Sequence, residues 1–210
     1  MNYSEALTTA VGPVQYRRLA DAADYYSHQG FRYTDVPWLV QQKVDHATKP
    51  PYVKPIHHHV SALNHTFHFA ASGEQSFIQM QYEARKAGRK IEGRYQTITP
   101  CYRDEARIDV FRRIGFMKLE LIDWSETTED NLREIVKRAA GFFREFLDIK
   151  IIDNDQTHEF GQDIVSEKYN IELGSYGIRE SEVGDFPLKW IYATGLAEPR
   201  LTIAMLKENS

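Results

Sequence analysis

The sequence predicts an α+β chain, and three features carry that expectation. Residues 13–29 and 128–147 place apolar side chains at helical spacing. Residues 96–105 and 116–121 alternate with a period of two and read as a pair of antiparallel strands. Near the end, 192–207 reads as a strand that leads through Pro199 into a helix.

The chain has 210 residues, long enough for one well-buried domain spanning 1–210 and too short for a catalytic core plus a sizeable RNA-reading appendage. Its 42% hydrophobic content supports a substantial core, and its formal net charge of -4 gives no global basic field to recruit nucleic acid. The single cysteine, Cys101, excludes an intramolecular disulfide and fits a reducing compartment. No apolar run approaches the roughly 18 residues that span a bilayer, and Met1 to Ala10 lacks a secretory pattern. A soluble, cytoplasmic protein without membrane contact is expected.

In chain order, Val14, Leu19, Ala22, Ala23 and Tyr26 mark the apolar stripe of the first helix, and Gly30 is placed to end it. A strand over 31–39 follows, with Pro37 at an edge or boundary because it removes a ladder hydrogen bond. The segment 41–60 is polar and carries Pro50, Pro51 and Pro55, so it reads as an irregular loop. Three consecutive histidines in it, His57 to His59, cannot all face one ion from a regular strand or helix. The loop is read instead as lying over a site and supplying one histidine.

Residues 65–71 alternate as a strand, and Ser72 is an N-cap for a helix from about residue 75 to 86, with Glu74 in its first turn. Basic residues over 84–93 form a solvated turn. In the strand pair, Arg103 shares a face with Glu105, and Phe116, Lys118 and Glu120 share a face opposite Met117, Leu119 and Leu121. The ten residues between the strands carry Arg107, Asp109, Arg112 and Arg113, a cationic loop suited to closing over an anion. Thr127 or Thr128 caps the next helix, whose stripe runs through Leu132, Ile135, Val136, Ala139, Phe143 and Phe146. A strand over 149–152 ends in a polar turn with Asp153, Asp155 and His158, read as solvated.

Glu172 lies between Ile171 and Leu173, so its carboxylate leaves the face they bury, and Gly174 permits a bend that brings Ser175 to the same side. A carboxylate and a hydroxyl are hard oxygen ligands of the kind Mg²⁺ on ATP accepts beside phosphates. Arg200 at a helix start sits at the positive end of the dipole, a conflict that an anion resolves.

Tyr102-Arg103-Asp104-Glu105, a loop, then Phe116 and Glu120 resemble motif 2 of the class II aminoacyl-tRNA synthetases. The helix, Gly30-Phe31, strand and Pro37 unit resembles motif 1, and 192–201 with Gly195 and Arg200 resembles motif 3, with Ala193 where the fuller pattern has a second glycine. The resemblance implies an antiparallel sheet flanked by helices and a homodimer through 13–39. It implies that Arg103 holds the α-phosphate of ATP, Glu105 the adenine end, Arg107, Arg112 or Arg113 the outer phosphates, and that Phe116 stacks on adenine. Gly195 lies beneath the nucleotide, and Arg200 packs on it. Glu74 would grip a substrate amino group, with Lys118 and Glu120 lining the substrate pocket, and Glu172 and Ser175 would hold Mg²⁺.

The run from Glu172 to Arg179 also resembles the type A asparagine synthetases. The function implied is an ATP-dependent ligase that activates a small-molecule carboxylate, an amino acid foremost, as an acyl-adenylate and passes it to a small molecule, carrier protein or RNA. The alternatives are an ammonia-dependent amide ligase and a non-catalytic synthetase-like subunit.

Overall fold

The computed structural model describes residues 13–48, 56–60, 65–104, 107–154 and 160–209, with backbone only at 57–60 and 65. Met1 to Ala10, Pro50, Pro51, Pro55, Glu105, Asp155 and His158 lie outside the described residues, as do the side chains of His57 to His59.

Ten strands and five helices are described. In order they are α1 (Tyr16–His28), β1 (Arg32–Tyr33), β2 (Leu39–Val40), α2 (Gln42–Thr48), β3 (His57–Val60), β4 (His65–Phe69), α3 (Gly73–Lys86), β5 (Arg94–Tyr102) and β6 (Gly115–Asp123). There follow α4 (Glu129–Phe143), β7 (Ile149–Asp153), β8 (Gly161–Ser166), β9 (Glu172–Val183), β10 (Phe186–Glu198) and α5 (Arg200–Glu208).

Seven strands form the main sheet in the order β1-β5-β6-β10-β9-β8-β7, all pairings antiparallel except β1 with β5. A smaller sheet, β2-β4-β3, stands beside it. Two cores follow from the period-2 rule. Leu119, Leu121, Ile191 and Ala193 of the main sheet pack with α1, α4 and α5 on one face. On the other, Ile122 and Trp190 pack with Phe77, Ile78 and Tyr82 of α3 and Val44 of α2. The α3 helix covers only part of this second face, which leaves its other end for a cleft.

The sequence expectations hold for most elements. Gly30, at φ +89, ends α1, and Ser72 caps α3 by accepting the Glu74 N–H at 3.2 Å. Thr128 caps α4 by accepting from Asn131 N–H at 3.3 Å. Helix α4 stops at Phe143, one turn short of the expected 147, while Phe146 still packs at the edge of the core.

Two expectations change. The strand over 31–39 is instead two short strands in different sheets, with Pro37 in the break. The loop over 41–60 contains α2 and β3. Tertiary burial decides this, because Val40 and Val44 are fully buried under α3, an anchor that overrides polar local composition.

Candidate functional site

The cleft is built where β5 and β6 meet the end of β10. Arg103 follows β5, Arg112 and Arg113 lie in the loop before β6, Phe116 faces out from β6, and Pro199 and Arg200 open α5; all six line it. Residues nearly a hundred positions apart in sequence thus concentrate four guanidinium groups at one end of the sheet face. A polyphosphate is the kind of ligand such a fork-bearing cluster fits.

Arg103 is held from two sides. Its Nε donates to the Ala71 carbonyl at 2.9 Å, and its guanidinium lies 5.2 Å from the Phe116 ring centre. Arg112 pairs with Asp109 at 3.1 Å and is half exposed, and Arg107, more exposed still, lies 3.5 Å from the same carboxylate. Arg200 pairs with Glu172 at 2.8 Å. Desolvation works upward on Glu172, but Arg200 and then Arg103 outweigh it and hold the carboxyl below its ordinary range.

The bend anticipated at Gly174 is present as a register shift between Ile164 and Val165 against β9. It brings Glu172 and Ser175 onto the same side. Asp163, paired in register with Ser175, adds a third oxygen group that sequence reading missed. Burial raises the Asp163 pKa first; the Ser175 hydrogen bond opposes this, and neighbouring Glu172 adds to it. Among the described residues no group of three or more His, Cys, Asp and Glu side chains is arranged to hold a metal.

Gly195 requires a correction. A side chain there would bring its Cβ 2.1 Å from Leu119 Cδ2 and 3.0 Å from the Tyr26 ring, so the residue faces the helical core, away from the cleft. Its absence of a side chain serves a bulge: the β10 register shifts between Thr194 and Leu196. The bulge changes the parity of the strand, so Leu196 turns into the core and Ala197 lines the cleft.

Further along the same face lies a dense polar floor. Glu120, fully buried, accepts from Ser72 Oγ at 2.5 Å and lies 2.8 Å from Lys118 Nζ. Gly73 lets α3 settle directly on this pair, since a Cβ there would lie 2.8 Å from that of Glu120. Glu74 accepts Arg179 Nη1 at 2.7 and 2.8 Å and Trp190 Nε1 at 2.7 Å. All three predicted pocket residues lie in this floor, and each is engaged in an internal ion pair. Arg179 was not anticipated. Desolvation works downward on its pKa, but Glu74 outweighs it, and the guanidinium lies 4.4 Å from the Tyr192 ring centre. Burial pushes the Tyr192 hydroxyl up to about 12, so it stays protonated at neutral pH. The alternation of Trp190, Tyr192 and Thr194 along β10 was the signal available for this wall.

No protein-family model matches the chain, and no curated protein does. Solved structures are similar to it in fold. A pyrrolysyl-tRNA synthetase of Desulfitobacterium hafniense has a TM-score of 0.69 and 14% identity, covering 94% of this chain and 68% of that one. A seryl-tRNA synthetase of Pyrococcus horikoshii, solved with ATP, has a TM-score of 0.69 and 19% identity, covering 89% of this chain and 49% of that one. The cytoplasmic serine-tRNA ligase of Naegleria fowleri, solved with AMP, has a TM-score of 0.65 and 13% identity, covering 87% of this chain and 46% of that one. The chain thus spans about half the length of these seryl enzymes. With the strand order, the position of the cleft and these similarities together, the chain has the α+β fold of the class II aminoacyl-tRNA synthetase catalytic core.

Proposed function

We propose that the protein is an ATP-dependent ligase that activates a carboxylate, foremost that of an amino acid, as an acyl-adenylate. The observation that carries the reading is the convergence of Arg103, Arg112, Arg113 and Arg200 around Phe116 at one end of a sheet face whose other end is a polar floor. Solved neighbours of the same fold hold ATP or AMP.

In this reading Arg103 binds the α-phosphate, Arg112 and Arg113 the outer phosphates, and Phe116 and Arg200 the adenine ring, with Glu105 at its edge. Glu172, Ser175 and Asp163 are the residues that would hold Mg²⁺, which would supply positive charge to offset that of the phosphates. ATP supplies the adenylyl group: a substrate carboxylate oxygen bonds to the α-phosphorus as the bond to pyrophosphate breaks. No protein nucleophile is required, and the chain contributes position and fixed positive charge. Arg200, paired with Glu172 at 2.8 Å, would release that carboxylate to the cation on turning to the nucleotide.

Glu74 takes a changed role. Its carboxylate fixes Arg179, and Arg179 then offers a rigid cation to an acidic group of the substrate, with Lys118 and Glu120 behind it. This favours a substrate with a second carboxylate, and the amide-forming version of the reaction predicts that ammonia stimulates AMP release from ATP and aspartate.

The test is ATP-pyrophosphate exchange with Mg²⁺ and pooled amino acids, resolved to single compounds. One compound should support exchange, and Arg103→Ala should lower it by about 10²- to 10³-fold, the usual effect of removing one preorganised charge-stabilising group. No exchange together with no calorimetric binding of ATP would overturn the catalytic reading in favour of a non-catalytic subunit.

A further inference from the structure

Arg103 is aimed into the cleft by a turn that does not line the cleft. Its guanidinium group is planar and rigid, so the bond from Nε to the Ala71 carbonyl, 2.9 Å long, fixes the plane in which the whole group lies. Ala71 belongs to the short connection between β4 and α3. Whatever holds that connection decides how well Arg103 is aimed.

The connection is braced at successive peptides. Tyr102 N–H donates to the Ala70 carbonyl at 2.9 Å, so two consecutive residues at the end of β5 dock on two consecutive carbonyls of the turn. The peptide that accepts Tyr102 donates its own N–H, that of Ala71, to Gln75 Oε1 at 2.7 Å. Gln75 stands three residues after the cap Ser72, where the glutamine of a capping box turns back to the N–H of the cap itself. Here it reaches one residue further, to the residue whose carbonyl holds Arg103. Its Nε2 donates to Asp45 Oδ1 at 2.9 Å, and the other oxygen of Asp45 lies 2.9 Å from His68 Nδ1. Gln75 and Asp45 are each 1% exposed, so water does not replace a lost bond and an unmet donor or acceptor carries its full desolvation cost. These neighbours specify the residue type. The Ala71 N–H needs an acceptor and the Asp45 oxygen needs a donor; a side-chain amide presents both, and a carboxylate of the same length presents only the first.

We propose that Gln75, backed by Asp45, is a positioning residue that aims Arg103 at the α-phosphate, so that α2 supports the nucleotide end of the cleft without lining it. The consequence for catalysis rests on the nucleotide reading of Arg103, and the aim of its side chain is measurable without that reading. A small misplacement of a group that acts on the reacting phosphate is costly even when its cause lies far from the chemistry.

The test compares the full chain with Gln75→Glu, which sets one carboxylate against another, and with Asp45→Asn/Gln75→Glu, which exchanges donor for acceptor across the pair and restores the match. The first readout is hydrogen exchange at the Arg103 Nε–H, followed by nitrogen-15 NMR and assigned by loss of the signal in Arg103→Ala. Exchange should be slow in the parent, faster by about 10-fold in Gln75→Glu, the equivalent of one lost hydrogen bond, and slow again in the double variant. In ATP-pyrophosphate exchange, Gln75→Glu should lower kcat by about 10- to 100-fold and raise the KM for ATP less than that, with recovery in the double variant. A parent that neither exchanges pyrophosphate nor binds ATP would end the nucleotide reading and leave the Arg103 Nε–H as the deciding measurement. Circular dichroism confirms that each variant folds, and Gln75→Ala, which also removes the acceptor, replaces Gln75→Glu if that one does not. Equal exchange of the Arg103 Nε–H in the parent and the single variant, or a double variant no better than the single one, would overturn the proposal and leave Gln75 as a helix cap alone.

Discussion

Asp123 has a fully buried side chain at the end of β6, and burial alone would raise its pKa. Hydrogen bonds from Ser125, Asn131 and Arg94 outweigh that penalty and hold the carboxyl below its ordinary range. A carboxylate with a lowered folded pKa adds stability above its unfolded value near 4, and that stability is lost as pH falls toward the folded value. Asp123→Asn should therefore be destabilised at pH 7, and its deficit relative to the parent should shrink between about pH 5 and pH 2 in urea titrations. A deficit that does not change with pH would show that packing, not ionisation, is what Asp123 contributes. At this scale the sequence identified residue types well and pairings poorly. Arg103, Phe116 and Arg200, singled out in the sequence, line one cleft in the structure. The Glu74–Arg179 pair was not legible, because its partners lie 105 positions apart and only the α3–β9 approach joins them.

The bulge in β10 carries its lesson at the scale of the element. A strand read by strict alternation would put Leu196 toward the cleft, and the extra residue at Gly195 reverses this. Gly195→Ala should cost about 1–3 kcal/mol in chemical denaturation by overpacking, because its Cβ meets Leu119 Cδ2. Adding Leu119→Ala should recover part of that loss through coupling of the two sites, and strictly additive effects would refute the clash. Helices α1, α3 and α4 were legible because their caps and stripes are local. Helix α2 was not, since it is held by burial of Val44 under α3, and nothing in a polar, proline-bounded segment announces that burial.

At the scale of the whole molecule, β1 stands at one edge of the main sheet, with Tyr33 about half exposed; Tyr16 of α1 and Trp38, in the break before β2, are more so. An open edge beside exposed aromatic side chains is a surface suited to association. We expect a homodimer through 13–39, so sedimentation velocity should give twice the chain mass, and Tyr33→Asp should shift it toward monomer while circular dichroism stays unchanged. A monomer at micromolar concentration in the parent protein would refute this interface.

The sequence by itself determined the α+β class and the order of most elements. Those follow from periodicity and caps, which act over short stretches. Only the tertiary structure decided that Leu196 turns into the core and which cation Glu74 holds. The first depends on a bulge, which moves every later side chain of the strand to the other side, and the second on the approach of α3 to β9, elements distant in sequence.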